Sequence, residues 1–237
     1  MAKKLEFLVV NDDGVREIGI AILAKHLAKY GNVTVVAPSS ARSAASHSIC
    51  LHKNLSFNSV DYIENTIAYE TDGSPADCVR LATSILGDKF DIVFSGINNG
   101  LNLGTDIIYS GTVAAAREAF IEGYPSVAIS TSLNGFGKAE EYLDSILDYI
   151  IINRRYSKNY TLNINYPNSK FAYCKGIKEC QQGIKRFNSI YELKEDGKYG
   201  VKEDIISYDT NPNTDVFLAN EGYITITKLV VDQNYER

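Results

Sequence analysis

Asp12 and Asp13 stand side by side in "VNDDG", directly after the apolar run Leu5 to Val10. Adjacent carboxylates repel one another, and taking either out of water costs free energy unless a cation or hydrogen-bond donors compensate. Such a pair at the end of a buried strand asks for a partner. Three further stretches concentrate polar side chains after apolar runs: "SSARSAASHS" at residues 39–48, the Asn- and Gly-rich "SGINNGLNLGTDIIYSGT" at 95–112, and Asn165 with Pro167. Carboxylates combined with amide and hydroxyl oxygens are hard donors, suited to Mg2+, Mn2+ or Ca2+ more than to zinc. On this reading Asp12 and Asp13 supply charge, and a serine from residues 39–48 and an asparagine from 95–112 complete the set. Only three histidines occur, His26, His47 and His52, and no H-E-x-x-H, which disfavours a zinc hydrolase.

Ser110-Gly111-Thr112 heads the Ala-rich "VAAAREAFIEG". A helix start offers free backbone N–H groups and partial positive charge, glycine admits an anion closely, and hydroxyls add donors. Taken alone, Ser or Thr before a helix is more often a simple cap. Opposite an acidic, metal-binding pair the same tripeptide becomes a candidate phosphate seat. It also meets a constraint of charge. A net charge of −5 argues against specific nucleic-acid binding, which needs a concentrated basic stripe, and requires any phosphate substrate to be attracted locally. Arg42 is either a solvated loop cation or a phosphate contact. Asn102 and Asp106 are candidates for orienting ligands or holding the loop's shape. His47 reads as a hydrogen-bonded structural residue, and Tyr109 could stack on a base.

The elements that must position these residues follow from hydrophobic periodicity. The near-continuous run Leu5 to Val10 is that of a parallel strand covered on both faces. "EIGIAILAKHLAKYG" places Ile18, Ile22, Leu23 and Leu27 at helical spacing with Gly31 as a stop, and "NVTVVAP" is a second strand ended by Pro38. This β-α-β unit predicts a right-handed crossover. Helices at "SPADCVRLATSIL", "GTVAAAREAFIEG" and "AEEYLDSILDYII" then alternate with strands at "FDIVFSG", "PSVAIS" and "YTLNINYP". The fold expected is α/β, a Rossmann-like doubly wound, mostly parallel sheet, whose ligands bind beyond the carboxyl ends of its strands. We expect a catalytic core over residues 1–167 and a smaller, β-containing extension over 168–237, with a hairpin at the Asp196-Gly197 of "YELKEDGKYGVK" and an oligomerisation arm.

At 237 residues and 45% hydrophobic content, the chain can bury a core without disulfides or a structural metal. Cys50, Cys78, Cys174 and Cys180 show no C-x-x-C spacing and read as reduced packing residues. The basic start of "MAKKLEFLVVNDDG" is followed by too short an apolar run for a signal peptide, and no stretch approaches bilayer length. A cytoplasmic protein without membrane partners is expected.

The segments "VNDDG", "VVAP" with "RSAASHSI", "DGSPADCV", "DIVFSGINNGLNLGTDIIYSGTVAAAREA", "NINYP" and "TDVFLANEGYITIT" resemble the SurE family of stationary-phase survival proteins, metal-dependent nucleotidases. The likeness runs from residue 10 to about residue 229. It implies hydrolysis of nucleoside 5′-monophosphates to nucleoside and phosphate by metal-activated water, with 3′-monophosphates and short polyphosphate as further substrates, in a homodimer or homotetramer. It implies one divalent ion per subunit, Mg2+ or Mn2+, on Asp12, Asp13, Ser43 and Asn98. Catalysis would then rest on Asp12 and Asp13, with one of them or Asn11 orienting the water, and Ser110, Gly111, Thr112, Asn98 and Arg42 would hold the phosphate. The chain departs from the family's pattern at Ser39, Ser40 and Ala41, where acidic and further polar residues are usual, and at Ala119, where glycine is expected. A phosphoacceptor domain would need a separate acceptor Asp after a later strand, and "FDIVFSG" ends in Ser95-Gly96. A haloacid-dehalogenase-type phosphatase would need D-x-D. The remaining alternative is a non-catalytic nucleotide-binding protein on the same fold.

Overall fold

The computed structural model describes residues 4–64 and 66–232. The basic start at 1–3 and the last five residues of the extension, 233–237, lie outside the described residues. β1 (Leu5–Val10) leads through α1 (Ile18–Leu27) to β2 (Gly31–Pro38), which pairs with β1 in parallel. Gly31 is not the helix stop expected from the sequence: α1 ends at Leu27 with Ala28 as its cap, and Gly31 opens β2. The reason is a close approach, since a Cβ on Gly31 would lie 2.2 Å from the Leu5 carbonyl oxygen of the neighbouring strand.

The chain continues through β3 (Asn58–Val60), β4 (Ile67–Thr71), α2 (Pro75–Leu86), β5 (Ile92–Asn99), α3 (Asp106–Tyr109) and α4 (Gly111–Ile121). There follow β6 (Ser126–Thr131), α5 (Phe136–Leu147) with a π-helical turn Asp148–Ile152, β7 (Thr161–Asn165), β8 (Ile177–Cys180), β9 (Lys185–Leu193), β10 (Tyr199–Tyr208), α6 (Asp215–Asn220) and β11 (Ile224–Leu229). α2 begins where Ser74 and Asp77 form a reciprocal capping box with Pro75 at the first helical position.

The main sheet runs β3-β4-β2-β1-β5-β6-β7-β11-β8. Its pairs are parallel except β3 with β4 and β7 with β11. From β1 the chain moves outward through β2 to β4, then returns and moves the other way through β5, β6 and β7. The order therefore reverses between β1 and β5, which creates a crevice at their carboxyl ends.

Alternation along β1 explains its unbroken hydrophobicity. Phe7 and Val9 pack with Leu23, Leu27 and Leu143 under α1 and α5, whereas Leu8 and Val10 pack with Val79, Ala115 and Ala119 under α2 and α4. Each fully buried Leu or Phe side chain contributes about 1.5–3 kcal/mol relative to exposure. β9 and β10 form a separate antiparallel pair, an arm whose turn carries Asp196 and Gly197. All four cysteines are free, and among the described residues no helix is long and apolar enough to cross a membrane.

Candidate functional site

The polar loops meet at the crevice between β1 and β5. Asn11 turns the chain out of β1: its Nδ2 donates to the Gly14 carbonyl at 2.8 Å, and Gly14 N–H donates back to its Oδ1 at 3.1 Å. This closed loop fixes where Asp12 and Asp13 leave the sheet. Asp12 is only 5% exposed and accepts a hydrogen bond from the Thr112 hydroxyl, while Asp13 is half-buried and accepts from Asn99 N–H at 3.3 Å. Burial pushes Asp12 up to about 6, with the charge of Asp13 adding to the rise and the Thr112 hydroxyl opposing it. Asp13 is raised too, first by burial and then by Glu17, against the Asn99 N–H. Among the described residues no Lys, Arg or His pairs with either carboxylate.

Helix α4 closes on this pair because its first residue is glycine. A Cβ on Gly111 would sit 2.9 Å from the Asp12 Cβ and 3.0 Å from the Pro75 ring. Ser110 caps the helix, its Oγ accepting from Val113 N–H at 3.1 Å. At the end of β5 the register against β6 slips between Ser95 and Asn98, an irregularity of the kind that re-aims side chains beside active sites. Asn98 Nδ2 donates to the Gly100 carbonyl at 2.7 Å, which leaves Oδ1 as the end available to a cation. Ser43 is exposed in a loop held to β1 by Arg42 N–H donating to the Asp12 carbonyl at 2.7 Å.

Asp12, Asp13, Ser43, Asn98 and Ser110 thus border one cavity of about 850 Å³. Two poorly compensated carboxylates with an amide and a hydroxyl oxygen are the donor chemistry that suits a hard divalent cation, and the residues present fit one. Among the described residues no three or more His, Cys, Asp or Glu side chains converge as they would for a zinc-type site.

Three residues assigned from the sequence to water or phosphate are turned elsewhere. The Asn11 amide is spent at both ends on Gly14. The Thr112 hydroxyl is spent on Asp12. The Arg42 guanidinium donates through Nη2 to the Asp72 carbonyl at 2.7 Å and does not border the cavity. Asn102 fastens its loop: its N–H donates to Asn165 Oδ1 at 2.7 Å, its Nδ2 to Ser130 Oγ at 2.8 Å, and its carbonyl accepts from Asn163 and Asn165. Asp106 pairs with Lys185. His47 contacts Glu118 at 2.7 Å, and Arg80 lies 3.3 Å from the same carboxylate, which holds Glu118 below the usual range. Tyr109 borders the cavity.

The sequence reading missed the opposite wall. It comes from the arm, which contributes Lys185, Arg186, Phe187, Ser189, Glu203 and Ile206. Besides the Asp106 ion pair, buried Asp215 accepts from Gly104 N–H at 2.9 Å and Gly183 N–H at 2.8 Å, so one carboxylate ties the glycine-rich loop to the approach of β9. The Arg186 side chain has no hydrogen-bond or ion-pair partner among the described residues, while its backbone pairs with Ser207 in the arm's ladder. The local signal was the "KR" that opens a β-rich run; nothing in it points to a site far away in sequence.

The family profile described as Survival protein SurE matches residues 7–189. The chain belongs to the SurE family. It is 39% identical over 236 residues to a Clostridium botulinum (strain 657 / Type Ba4) protein named 5′-nucleotidase SurE, covering 96% of this chain and 94% of that protein. A Thermoanaerobacter sp. (strain X514) protein of the same name is also 39% identical, with 96% and 93% covered. The crystal structure of the SurE protein from Aquifex aeolicus matches with a TM-score of 0.82 and 33% identity over 97% of this chain and 94% of that one. The α/β, mostly parallel sheet expected from the sequence is the SurE architecture.

Proposed function

We propose that this SurE-family protein is a 5′-nucleotidase that hydrolyses nucleoside 5′-monophosphates to nucleoside and phosphate with the help of one Mg2+ or Mn2+ ion. Asp12, Asp13, Ser43 and Asn98 would hold the ion. Such an ion, when bound, neutralises charge on the phosphoryl oxygens and lowers the pKa of a water molecule. The observation that carries the reading is buried Asp12, with which no cationic side chain pairs among the described residues, beside Asp13 at the N-terminal end of α4. Helix α4 runs 11 residues, and the positive end of its dipole favours an anion there.

Asp13, which is open to the cavity, is the carboxylate we assign to orienting the attacking water in line with the scissile P–O bond. Thr112 acts on Asp12 and Asn11 on the loop, so neither touches phosphate. Arg186 supplies the local attraction that a chain of net charge −5 needs. Positioning and electrostatics then account for the acceleration, and no covalent intermediate is required.

Division into a core over 1–167 and an extension from 168 remains part of this reading, as does assembly into a dimer or tetramer. Tyr191, Leu193 and Tyr199 are each more than 60% exposed on the arm, an apolar surface of the kind that oligomers cover.

The test is phosphate release from nucleoside 5′- and 3′-monophosphates and short polyphosphate, with EDTA and then with Mg2+ or Mn2+ restored. Turnover that returns with metal is the expected result. Nucleotide binding without release under any metal would replace the enzyme reading with that of a binding protein.

A further inference from the structure

The arm side of the cavity carries chemistry that phosphate hydrolysis does not use. Residues alternate along β9, so Lys185, Phe187 and Ser189 share one face with about 7 Å between successive members. All three border the cavity. Lys185 is the anchored end of this row: it pairs with Asp106, its N–H donates to Thr105 Oγ1 at 3.1 Å, and its carbonyl accepts from the same hydroxyl at 2.7 Å. Phe187, half-buried, comes next and Ser189 last.

On β10, Glu203 lies directly across from Ser189, and Ser189 Oγ donates to Glu203 Oε1 at 2.9 Å. That bond steadies the carboxylate and leaves Oε2 as a free acceptor. The ladder then slips between Ile205 and Ser207, and the intervening Ile206 borders the cavity. The arm side of the cavity therefore carries an aromatic ring, an apolar flank and an oriented carboxylate.

We propose that the arm reads the nucleobase: Phe187 stacks on it, and Glu203, steadied by Ser189, accepts hydrogen bonds from its edge and selects guanine over uracil. An ionised carboxylate can only accept. Guanine presents two neighbouring N–H donors, N1–H and the N2 amino group, to a single carboxylate. Uracil presents one N–H between two carbonyl oxygens, which repel it. Stacking on Phe187 adds affinity for any base, because every base has a π-face. The proposal rests on the nucleotidase reading above and assigns the selectivity of that same site.

The experiment measures kcat/KM for guanosine, adenosine and uridine 5′-monophosphates and for ribose 5-phosphate, which keeps sugar and phosphate but has no base. It compares the wild type with Phe187→Leu, which keeps the apolar bulk, and Glu203→Gln, which keeps the shape. The wild type is expected to favour the guanosine over the uridine substrate roughly tenfold or more. Phe187→Leu should lower every nucleotide roughly tenfold relative to ribose 5-phosphate, and Glu203→Gln should erase most of the guanosine preference through KM. A wild type without that preference overturns the proposal, as do variants that change nucleotides and ribose 5-phosphate in equal proportion. If the metal-loaded wild type hydrolyses none of the four, the nucleotidase reading falls. Calorimetric binding of guanosine and uridine 5′-monophosphates to the same proteins then decides the arm: a preference lost in Glu203→Gln supports it, and equal binding overturns it.

Discussion

Thr112, in the first turn of α4, donates its hydroxyl hydrogen to the Oδ1 of Asp12 at the end of β1. The bond opposes the burial that raises this carboxyl to about 6 and so keeps it ionised at neutral pH. Replacing Thr112 with Val removes the donor and leaves the buried carboxylate with less support. Hydrogen bonds to charged groups contribute about 1.5–3 kcal/mol, so the acid limb of the activity profile should move up by roughly one pH unit. A bound cation favours the carboxylate and starts the limb lower, but the displacement keeps its sign. A pH–rate profile of Thr112→Val against Thr112→Ser, which retains a hydroxyl, checks this.

The same carboxylate weakens the fold. Its folded pKa of about 6 lies above the ordinary 3.8, so the folded state binds the proton more tightly than the unfolded state. The associated stability is fully present below about pH 4 and is lost as pH rises through about 6. At pH 8 the ionised Asp12 costs the metal-free protein roughly 3 kcal/mol. Asp12→Asn should therefore melt higher than the wild type at pH 8, with the gap closing toward pH 4, while phosphatase activity falls at least a hundredfold. Thermal melts in EDTA across that pH range, beside the activity assay, test both halves. An unchanged melting temperature at pH 8 would count against a desolvated Asp12.

How much of this could be read from the chain depends on how local each cause is. β1, β2, β5 and β6 are largely buried on both faces and their apolar runs announce them, whereas β7, Thr161–Asn165, is buried but alternates polar and apolar residues. The Ser110 cap and the acidic pair are local too, and the loops that carry Asp12, Ser43 and Asn98 are brought together by a switch point that the β-α-β pattern already implies. Gly31 opens β2 instead of stopping α1, and a glycine after a helical pattern and a glycine forced by a neighbouring strand look alike in one dimension. The directions of side chains were not legible: Arg42 and Thr112 sit in the right loops, but the Asp72 carbonyl takes the Arg42 Nη2 and Asp12 takes the Thr112 hydroxyl. The arm was legible only at its turn. Its docking depends on Asp106 and Asp215, which meet Lys185 and Gly183 only in the folded chain.

Arg186 and Arg42 should behave differently when cut to alanine. Arg186 is unpaired and faces the cavity, so its loss should raise KM for anionic substrates about three- to tenfold and flatten the dependence of KM on ionic strength. Arg42 supports the Asp72 carbonyl, and its loss should cost about 1 kcal/mol of stability with little effect on the salt dependence of KM. Steady-state kinetics at two salt concentrations, with urea unfolding of both variants, separates the roles. A salt-dependent KM change in Arg42→Ala alone would reverse the assignment.

Lys185 and Asp106 join the arm to the glycine-rich loop with side chains only 13% and 22% exposed. Removing one charge leaves the other poorly solvated, whereas removing both leaves neither. Lys185→Met keeps the aliphatic stem and should destabilise the protein by about 1–2 kcal/mol, less than for a fully buried pair. Adding Asp106→Asn should restore part of that loss, a coupling that a double-mutant cycle in urea measures directly. Lys185–Asp106 is the ion pair among the arm's ties to that loop, so the single variant should also be cut faster by protease at the arm's turn, residues 194–198. If Lys185→Met and the double variant are equally destabilised and equally resistant to cleavage, the ion pair does not hold the arm, and its position over the cavity must come from Asp215, the Thr105 bonds and the Gln182 Nε2 bond to the Gly104 carbonyl.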